Sequence, residues 1–332
     1  MKKLLIVVLV LGLVAGLVWF FSSKELPDEE VQKTFKVGIL YKGANFKKVV
    51  DGFVEGFNEN LGGRKVEYVI QDEKGSEQKD FDITAKGLID NKVDLIVAIG
   101  IEPVLAAQKA TIENKIPVIL ELGVNPETLG VVDNFQRPGG NMTGVTWQVE
   151  ELSGKRLEFL KKVDPRVKRV TIFRKKGSKA MEVPFDYINP VAKSLGITVT
   201  VKDVTDVEEL KKVVLATTAR DTDAFFYAPD PFVSRNINLL IKQAVDQKIS
   251  SMFHDENWVT VGGLSSYGGN FHDAGKQGAR LAAKILFENK SPAEIPVEIV
   301  SKIDFVVNLA TAKKIGLTVS PEVLSLTQVV VQ

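Results

Sequence analysis

The residues with the most obvious capacity for chemistry are the consecutive His254-Asp255-Glu256, which combine an imidazole with two carboxylates. Such groups act as acid–base catalysts or metal ligands when their side chains converge on one point. Consecutive side chains do not converge on one ion, and His272 is the only other histidine in the chain. The H-E-x-x-H spacing of helical zinc sites does not occur. We therefore expect neither a metal site nor a catalytic centre at these residues.

Two further enzyme motifs are absent from the sequence. The chain has no G-x-S-x-G nucleophile elbow. Residues 269–276 resemble a phosphate-binding loop but contain one residue too many, and Gln277 stands where Ser or Thr should follow. The chain carries 43 basic and 42 acidic residues, and no basic stripe that would indicate a nucleic-acid partner. We expect no cofactor and no enzymatic activity.

Polar and aromatic residues collect at the ends of predicted strands. These segments are residues 41–45, 100–103, 121–126, 227–234 and 254–257. In open α/β sheets, ligands bind outside the carboxyl ends of the strands, so two facing sheets would place these segments in one cleft. Closure of such a cleft needs a hinge between the two lobes.

The elements that position these segments alternate between short apolar strands and amphipathic helices. Near-continuous apolar strands are typical of parallel sheets covered on both faces. The first half predicts strands at 35–40, 66–70, 93–98 and 116–120, and the second half predicts strands at 169–173, 197–201, 223–227, 249–253 and 264–267. Helices fall between them, the later ones at 232–247 and 272–288. The pattern predicts an α/β fold with two doubly wound parallel-sheet lobes.

Between the halves lies Arg137-Pro138-Gly139-Gly140-Asn141-Met142-Thr143-Gly144. Proline removes a backbone donor and glycine permits unusual backbone angles, so a regular element should not run through this stretch. An ordinary surface turn is the alternative. The repeated pattern on either side favours a hinge, and we expect the first crossing between the lobes at Gly139-Gly140.

The amino terminus predicts a membrane segment. Lys2 and Lys3 precede an uncharged apolar run at 4–21, which has the roughly 17–25 residues that span a bilayer. No Ala-x-Ala site follows, so an uncleaved anchor is favoured over a signal peptide. The chain has no cysteine, which excludes lipid attachment through an N-terminal cysteine. Residues 1–23 are then the anchor or signal, and the polar segment 24–34 is a tether that holds the remainder outside the cytoplasmic membrane.

The segment Pro138-Gly139-Gly140-Asn141-Met142-Thr143-Gly144-Val145 resembles the PGGN-x-TG-V signature of the ABC transporter substrate-binding protein family, whose fold is of the type I periplasmic-binding-protein kind. Residues 94–100, 116–118 and 295–298 match family segments in the same order, and residues 307–319 resemble its closing N-L-x-T-A-x-x-L-G motif. The similarity extends from about residue 35 to 324. It implies a small-molecule ligand and an ABC permease with a cytoplasmic ATPase as partners.

The resemblance also implies three crossings and discontinuous lobes. Lobe 1 would comprise residues 35–145 and 268–302, and lobe 2 residues 146–267 and 303–332. The second crossing would lie near Tyr267-Gly268-Gly269 and the third near residues 302–307. Asn141 and Thr143 belong to the hinge signature.

Some family members bind aromatic amino acids, and this suggests roles for residues in the cleft. After Gly100 the family often has Thr, whereas this chain has Ile101 and Glu102. Asn125 stands where the family often has Asp. A ligand ammonium would need an acceptor, and a ligand ring a stacking partner. The candidate acceptors are Asp230, Glu102 and Asp255, of which Asp230 matches an acidic residue of the family. Ser234 lies close to Asp230 in the sequence and is a further candidate. The candidate stacking residues are Tyr41, Trp147 and Tyr267. Helix capping and core packing are the alternatives for these side chains.

Three classes of function follow from these observations. The first is an extracytoplasmic solute-binding protein that captures a small polar molecule, with an amino acid as one candidate, and delivers it to a permease. The second is a ligand-sensing ectodomain of a membrane receptor, and the third is an enzyme on an α/β scaffold.

Overall fold

A computed structural model of the protein describes residues 33–75, 77–147, 149, 152–178 and 182–331. The strands of the first half are β1 (Thr34–Tyr41), β2 (Lys65–Asp72), β3 (Leu95–Ile99), β4 (Val118–Leu122) and β5 (Met142–Thr146). They are followed by β6 (Arg169–Lys175), β7 (Thr198–Val204), β8 (Ala224–Phe226), β9 (Ser250–Phe253) and β10 (Ser265–Gly269). The last strands are β11 (Glu298–Ile299), β12 (Ile303–Asn308) and β13 (Val329–Val331).

Helices lie between most of these strands. The first are α1 (Lys47–Glu59), α2 (Gln78–Asp90), α3 (Ile101–Ala110), α4 (Ser153–Val163), α5 (Glu182–Leu195) and α6 (Val207–Ala216). They are followed by α7 (Pro231–Ser234), α8 (Ile237–Asp246), α9 (Glu256–Thr260), α10 (Phe271–Glu288), α11 (Leu309–Lys314) and α12 (Pro321–Leu326). Short 3₁₀ turns occupy Ala44–Phe46 and Pro292–Glu294.

The strands form two sheets, so the predicted two-lobed α/β fold is confirmed. The first sheet has the order β11-β5-β4-β3-β1-β2 and the second has the order β13-β12-β10-β9-β8-β6-β7. The pairs are parallel except that β10 and β12 run antiparallel, a pairing that the sequence pattern did not predict. This exception follows from the path of the chain, because β12 enters the second sheet from the first one instead of through a crossover helix. Each sheet is covered on both faces, as the separate apolar clusters on either side of it show.

The chain passes between the two sheets after β5, after β10 and between β11 and β12. These passages lie side by side. The N–H of Val300 donates to the carbonyl of Thr146 at 2.8 Å, and that of Asn270 donates to the carbonyl of Lys302 at 2.9 Å. A Cβ atom at Gly269 would lie 2.7 Å from Cγ1 of Val300. The passages therefore form one compact connection between the lobes.

Gly139-Gly140 differ from their predicted role, because they lie within the first lobe. They connect β4 to β5, which are neighbours in the same sheet. Nδ2 of Asn141 donates to the carbonyl of Ile116 at 2.6 Å, and Oγ1 of Thr143 donates to the carbonyl of Ile295 at 2.7 Å. The first passage follows Thr146 instead. The signature therefore anchors β5 in the first sheet, and the crossing begins only where that strand ends.

The helix predicted at 232–247 also differs, since the structure has two helices there, α7 and α8. The break covers only Arg235 and Asn236, so the apolar spacing continues across it. The predicted membrane segment and most of the tether lie outside the described residues. No helix in the described part of the chain is both long enough and apolar enough to cross a bilayer.

Candidate ligand-binding cleft

The carboxyl ends of the two sheets face each other, and side chains from both lobes meet between them. Lys48 lies near the start of α1, after β1, and Glu256 begins α9, after β9. Nζ of Lys48 is 2.7 Å from Oε1 of Glu256. Nδ2 of Asn257 donates to the carbonyl oxygen of Asn45 at 3.3 Å. These contacts between the two sets of strand ends define an interlobe cleft.

Glu102, a predicted ligand acceptor, makes another contact between the lobes. Its Oε1 lies 3.6 Å from Nη2 of Arg235, which follows α7 in the second lobe. The side chains of Glu102 and Arg235 are 41% and 67% exposed. The pair is therefore a solvated link at the rim of the cleft, of the kind that contributes little free energy by itself.

An aromatic cluster forms one side of the cleft in the first lobe. The ring of Trp147 lies 4.7 Å from that of Phe271 and 5.7 Å from that of Phe46, measured between centroids. Gly100 precedes α3 with a φ of 96°, and a Cβ atom there would approach the Phe46 ring to 3.5 Å. Phe46 follows β1 and Trp147 follows β5, so the cluster lies at the carboxyl ends of strands of the first sheet, and Phe271 joins it from the start of α10. Trp147 is buried within this cluster.

Glu121 lies in β4 beneath this cluster and is fully buried. Its Oε2 accepts a hydrogen bond from Nε1 of Trp147 at 3.2 Å. Within the described residues its Oε1 has no hydrogen-bond partner, and a Cβ atom at Gly278 would lie only 2.3 Å from it. Burial raises the pKa of the Glu121 carboxyl well above its ordinary value, and the indole N–H opposes this only in part. Burial thus favours the protonated form of Glu121, and its carboxyl positions the indole of Trp147.

Asp230, the predicted acidic contact, caps α7. Its Oδ1 accepts the N–H groups of Phe232 and Val233 at 2.8 and 3.2 Å, and its Oδ2 accepts the N–H of Lys175 at 2.9 Å. Its own backbone N–H donates to the hydroxyl of Tyr227 at 3.0 Å. The side chain is buried. Both carboxylate oxygens are thus bound by backbone donors, the arrangement expected of a helix cap.

Asp255 caps α9 in the same way, with Oδ1 accepting the N–H of Asn257 at 2.8 Å. Burial raises its pKa to about 7, although the hydrogen bond from Asn257 favours the charged form. No group of His, Cys, Asp or Glu among the described residues has the arrangement of a metal site. The three adjacent side chains therefore point to different partners. His254 contacts Tyr227, Asp255 caps α9 and Glu256 contacts Lys48.

A second aromatic cluster lies at the ends of β8 and β9 in the second lobe. The His254 imidazole stacks on Tyr227, with ring centroids 5.1 Å apart and planes at 25°. Trp258 meets both rings edge-on at 4.7 Å. Burial, followed by the positive charge of Arg156, lowers the pKa of His254 well below its ordinary value. Burial likewise raises the pKa of the Tyr227 hydroxyl.

The remaining predicted residues of the first lobe are Tyr41, Ile101 and Asn125. Tyr41 ends β1 and is buried, and Ile101 begins α3 and is partly buried. Oδ1 of Asn125 accepts the N–H groups of residues 127 and 128 at 2.8 and 3.3 Å, which stabilises a turn. Tyr41 and Ile101 are at strand ends that border the cleft, whereas the Asn125 oxygen is already used by the backbone.

Ser234 and Tyr267 belong to the second lobe. Ser234 ends α7, and its N–H donates to the carbonyl of Asp230 at 2.9 Å. Tyr267 lies in β10, where its ring stacks on Phe159 of α4 at 4.5 Å between centroids. The packing partner of Tyr267 is therefore a helix that covers its own sheet.

Sequence reasoning gave no role to Phe46 or Arg156. Glu121 and His254 begin two of the segments that were expected to line the cleft, 121–126 and 254–257, but neither side chain was assigned a part in ligand binding. A charged residue inside an apolar strand was the available signal for Glu121, because a buried carboxyl needs a partner. Arg156 is fully buried in α4, with Nη1 donating to Oγ of Ser153 at 3.3 Å, and helical spacing alone gave no indication of this.

Two α/β lobes, three adjacent connections and a cleft lined by strand ends are the architecture of the two-lobed periplasmic-binding-protein type. Residues 36–331 match the family described as ABC transporter substrate binding protein. The chain belongs to this family. Its members bind small molecules and serve ABC permeases, and the family is not a class of enzymes.

Similar proteins agree with this assignment. A tyrosine-binding protein from Clostridioides difficile (strain R20291) is 25% identical over 300 residues, which cover 89% of this chain and 84% of the relative. The ABC domain from Streptococcus pneumonia solved in complex with L-Trp has a TM-score of 0.77 at 23% identity, covering 90% of this chain and 100% of that one. A ligand-free, open substrate binding protein with adhesive properties from Clostridium difficile has a TM-score of 0.71 at 23% identity, covering 90% of this chain and 99% of that one.

Proposed function

We propose that this protein captures an amino acid with an aromatic side chain in the interlobe cleft and delivers it to an ABC permease with a cytoplasmic ATPase. The observation that carries the proposal is the pair of aromatic clusters at the facing strand ends, one around Phe46 and Trp147 and the other around Tyr227 and His254. Aromatic faces offer large apolar contact areas to a planar ligand. The names of the relatives, which refer to tyrosine and L-Trp, support the same ligand class.

The proposed lobes are residues 35–145 with 268–302, and residues 146–267 with 303–332. The sheet memberships and the adjacent connections support this division, except that Thr146 ends a strand of the first sheet and Gly268 and Gly269 end a strand of the second. Closure about these connections brings the strand ends of both lobes onto the ligand. Gly100, Ile101 and Glu102 of the first lobe, together with Trp147 at the first passage between the lobes, are proposed to line the cleft. Asp230, Ser234 and Asp255 contribute to the second wall mainly by fixing the loops that carry it.

We propose that the protein works outside the cytoplasmic membrane. The apolar run at 4–21 after Lys2 and Lys3 supports an anchor, and the polar segment 24–34 supports a tether. Membership of the ABC transporter family favours delivery to a permease over signalling to a receptor.

The test is direct binding. Isothermal titration of the purified protein with L-tyrosine and L-tryptophan should give saturable binding at one site per chain, and L-glutamate and L-alanine should bind at least about tenfold more weakly because they fill less apolar surface. Native mass spectrometry of protein as purified should reveal any ligand that would mask the titration. Equal affinity for all four amino acids, or binding of none, would contradict the proposed ligand class.

A further inference from the structure

Asn270 is the single residue between β10 of the second sheet and α10 of the first lobe, so the second passage between the lobes has no slack. Its side chain makes hydrogen bonds in both directions. Oδ1 accepts the N–H of Asp273 at 2.8 Å and thereby caps α10. Nδ2 donates to Oδ2 of Asp304, which lies in β12. One amide group thus joins a helix of the first lobe to a strand of the second.

Each end of this link moves with its own lobe. Helix α10 is packed tightly on α1, since a Cβ atom at Gly52 would lie 2.0 Å from the carbonyl oxygen of His272. In the second sheet β12 is paired with β10, and Asp304 lies opposite Gly268. A change in the angle between α10 and the second sheet therefore rotates the backbone of Asn270 and carries its amide away from the Asp304 carboxylate.

The carboxylate of Asp304 depends on this amide for a hydrogen bond. The side chain is buried, and within the described residues its Oδ1 has no hydrogen-bond partner, whereas Oδ2 has Asn270. Nearby, the N–H of Asn270 donates to the carbonyl of Lys302 at 2.9 Å, and Nζ of Lys302 lies 2.8 Å from Oδ2 of Asp273 in a partly exposed ion pair. Because a buried carboxylate that loses its donor is destabilised, the bond from Asn270 favours the angle at which it forms.

That angle is the one at which the lobes meet, because Lys48 contacts Glu256 across the cleft in the same structure. Resting on the closure proposed above, we propose that the hydrogen bond between Asn270 and Asp304 stabilises the closed arrangement of the lobes and so raises the affinity for the ligand. The measured affinity is reduced when a smaller fraction of the molecules populates the arrangement that binds. This bond therefore acts on ligand binding from the hinge, without contact with the ligand.

Affinity of a cap-preserving variant is the first test. Asn270→Ser retains a good capping residue, but its shorter side chain does not reach Asp304. It should weaken L-tyrosine binding by about 3- to 30-fold. Asn308→Ser is the matched control, since Asn308 caps α11 through the N–H of Thr311 and donates to the carbonyl of Val259, both at 2.8 Å and both within the second lobe. The control should change the Kd by less than about twofold, and equal losses in the two variants would overturn the proposal.

Exchange of the two side chains tests the contact itself. Asn270→Asp keeps a capping acceptor but places a second carboxylate against Asp304, and should weaken L-tyrosine binding by about 3- to 30-fold at pH 8. Asp304→Asn keeps an acceptor for the Asn270 amide and should change the Kd by less than about threefold. The double variant restores an amide and a carboxylate with their roles exchanged, so it should recover most of the loss. A double variant as weak as Asn270→Asp would overturn the direct contact.

The angle between the lobes can also be measured without any ligand. Because the chain has no cysteine, Lys79→Cys and Asn238→Cys introduce two unique spin-label sites. Both residues are exposed and lie on either side of the cleft rim, near the contact between Glu102 and Arg235. Pulsed dipolar spectroscopy should show a population at short distance that decreases when Asn270→Ser is added and persists in the matched control. An unchanged distance distribution with Asn270→Ser would overturn the hinge role.

The outcomes separate this inference from the proposed function. If the wild type binds no amino acid but Asn270→Ser shifts the distance distribution, the proposed ligand class is overturned and the hinge role is supported. If a folded Asn270→Ser variant binds L-tyrosine with the affinity of the wild type, the hinge role is overturned and the ligand class is supported. Thermal melting of each variant identifies any change in folding, and the exchanged pair provides a second route if Asn270→Ser does not fold.

Discussion

The carboxylate of Asp230 receives N–H groups from Phe232, Val233 and Lys175, although the sequence suggested that it would receive a ligand ammonium. The sequence predicts that an aspartate lies at the end of a strand. It does not show that backbone N–H groups occupy the carboxylate, because one of these groups belongs to Lys175, at the end of β6, far away in the sequence. The same holds for Asp255 and Asn125, whose oxygens also bind nearby backbone donors.

Asp230→Asn should lower the stability of the protein more than it changes ligand affinity. The amide keeps one acceptor for the helix cap but cannot serve all three N–H groups as the carboxylate does. We expect a loss of about 1–2 kcal/mol in the free energy of unfolding and less than about a threefold change in the Kd for L-tyrosine. Asp206→Asn is the control, since Asp206 caps α6 on the surface through the N–H of Glu209 at 2.8 Å. Calorimetric titration and chemical denaturation of both variants measure the two quantities. A large loss of affinity without loss of stability would restore Asp230 as a ligand contact.

Glu121→Gln should stabilise the protein increasingly as the pH rises. Burial raises the pKa of Glu121 in the folded chain, so above pH 4.5 the unfolded chain loses a proton that the folded chain retains. The wild type therefore loses stability with rising pH through this window, by about 1.4 kcal/mol for each unit between the two pKa values, and glutamine removes the effect. The difference in melting temperature, variant minus wild type, should grow from pH 4 to pH 8. Glu113→Gln, at an exposed position, is the matched control. A pH-independent difference for Glu121→Gln would mean that this carboxyl is ionised in the folded protein.

At the scale of elements, the apolar periodicity predicted most strands and helices, because a parallel sheet buries both faces of its strands. Residues 95–99 illustrate this, since all five side chains of β3 are buried. Strand β5 was missed because Pro138 and the glycines around it indicate a turn. The structure accommodates a strand there because Gly144 lets β5 approach β4 closely. Such an approach depends on the neighbouring strand, which local composition does not reveal.

Gly144→Ala should strongly destabilise the first lobe, and Gly140→Ala should not. A Cβ atom at Gly144 would lie 1.9 Å from the carbonyl oxygen of Leu120, whereas nothing lies within 4 Å of one at Gly140. We expect a loss of at least about 3 kcal/mol for Gly144→Ala and a change within about 0.5 kcal/mol for Gly140→Ala. Urea denaturation followed by circular dichroism measures both. Similar stabilities of the two variants would show that β4 and β5 are not packed as described.

At the scale of the whole molecule, the repeated pattern predicted one crossing between the halves but put it at Gly139-Gly140, and the sheet memberships place it after Thr146. The second and third passages followed only from the family resemblance, because periodicity records local order. The facing of the strand ends is likewise a consequence of topology. It brings Lys48 and Glu256, far apart in the sequence, to 2.7 Å.

Exchange of charges between Lys48 and Glu256 tests whether this pair favours the closed lobes. Lys48→Glu and Glu256→Lys should each weaken L-tyrosine binding by about two- to tenfold, since each places like charges across the cleft. The double variant should recover most of the loss, and the effects should diminish in 0.5 M salt. Lys47→Glu is the control, because Lys47 contacts Asp51 within its own helix. Additive losses in the double variant would exclude a direct interaction between the two side chains.

We propose that the two lobes close on an aromatic amino acid held between the ends of their sheets. Small-angle X-ray scattering of the ligand-free protein and of the protein saturated with L-tyrosine or L-tryptophan tests it most directly. We predict a smaller radius of gyration in the bound state, with a scattering curve that matches the structure whose lobes meet at Lys48 and Glu256. An unchanged radius of gyration under conditions where titration demonstrates full occupancy would contradict it.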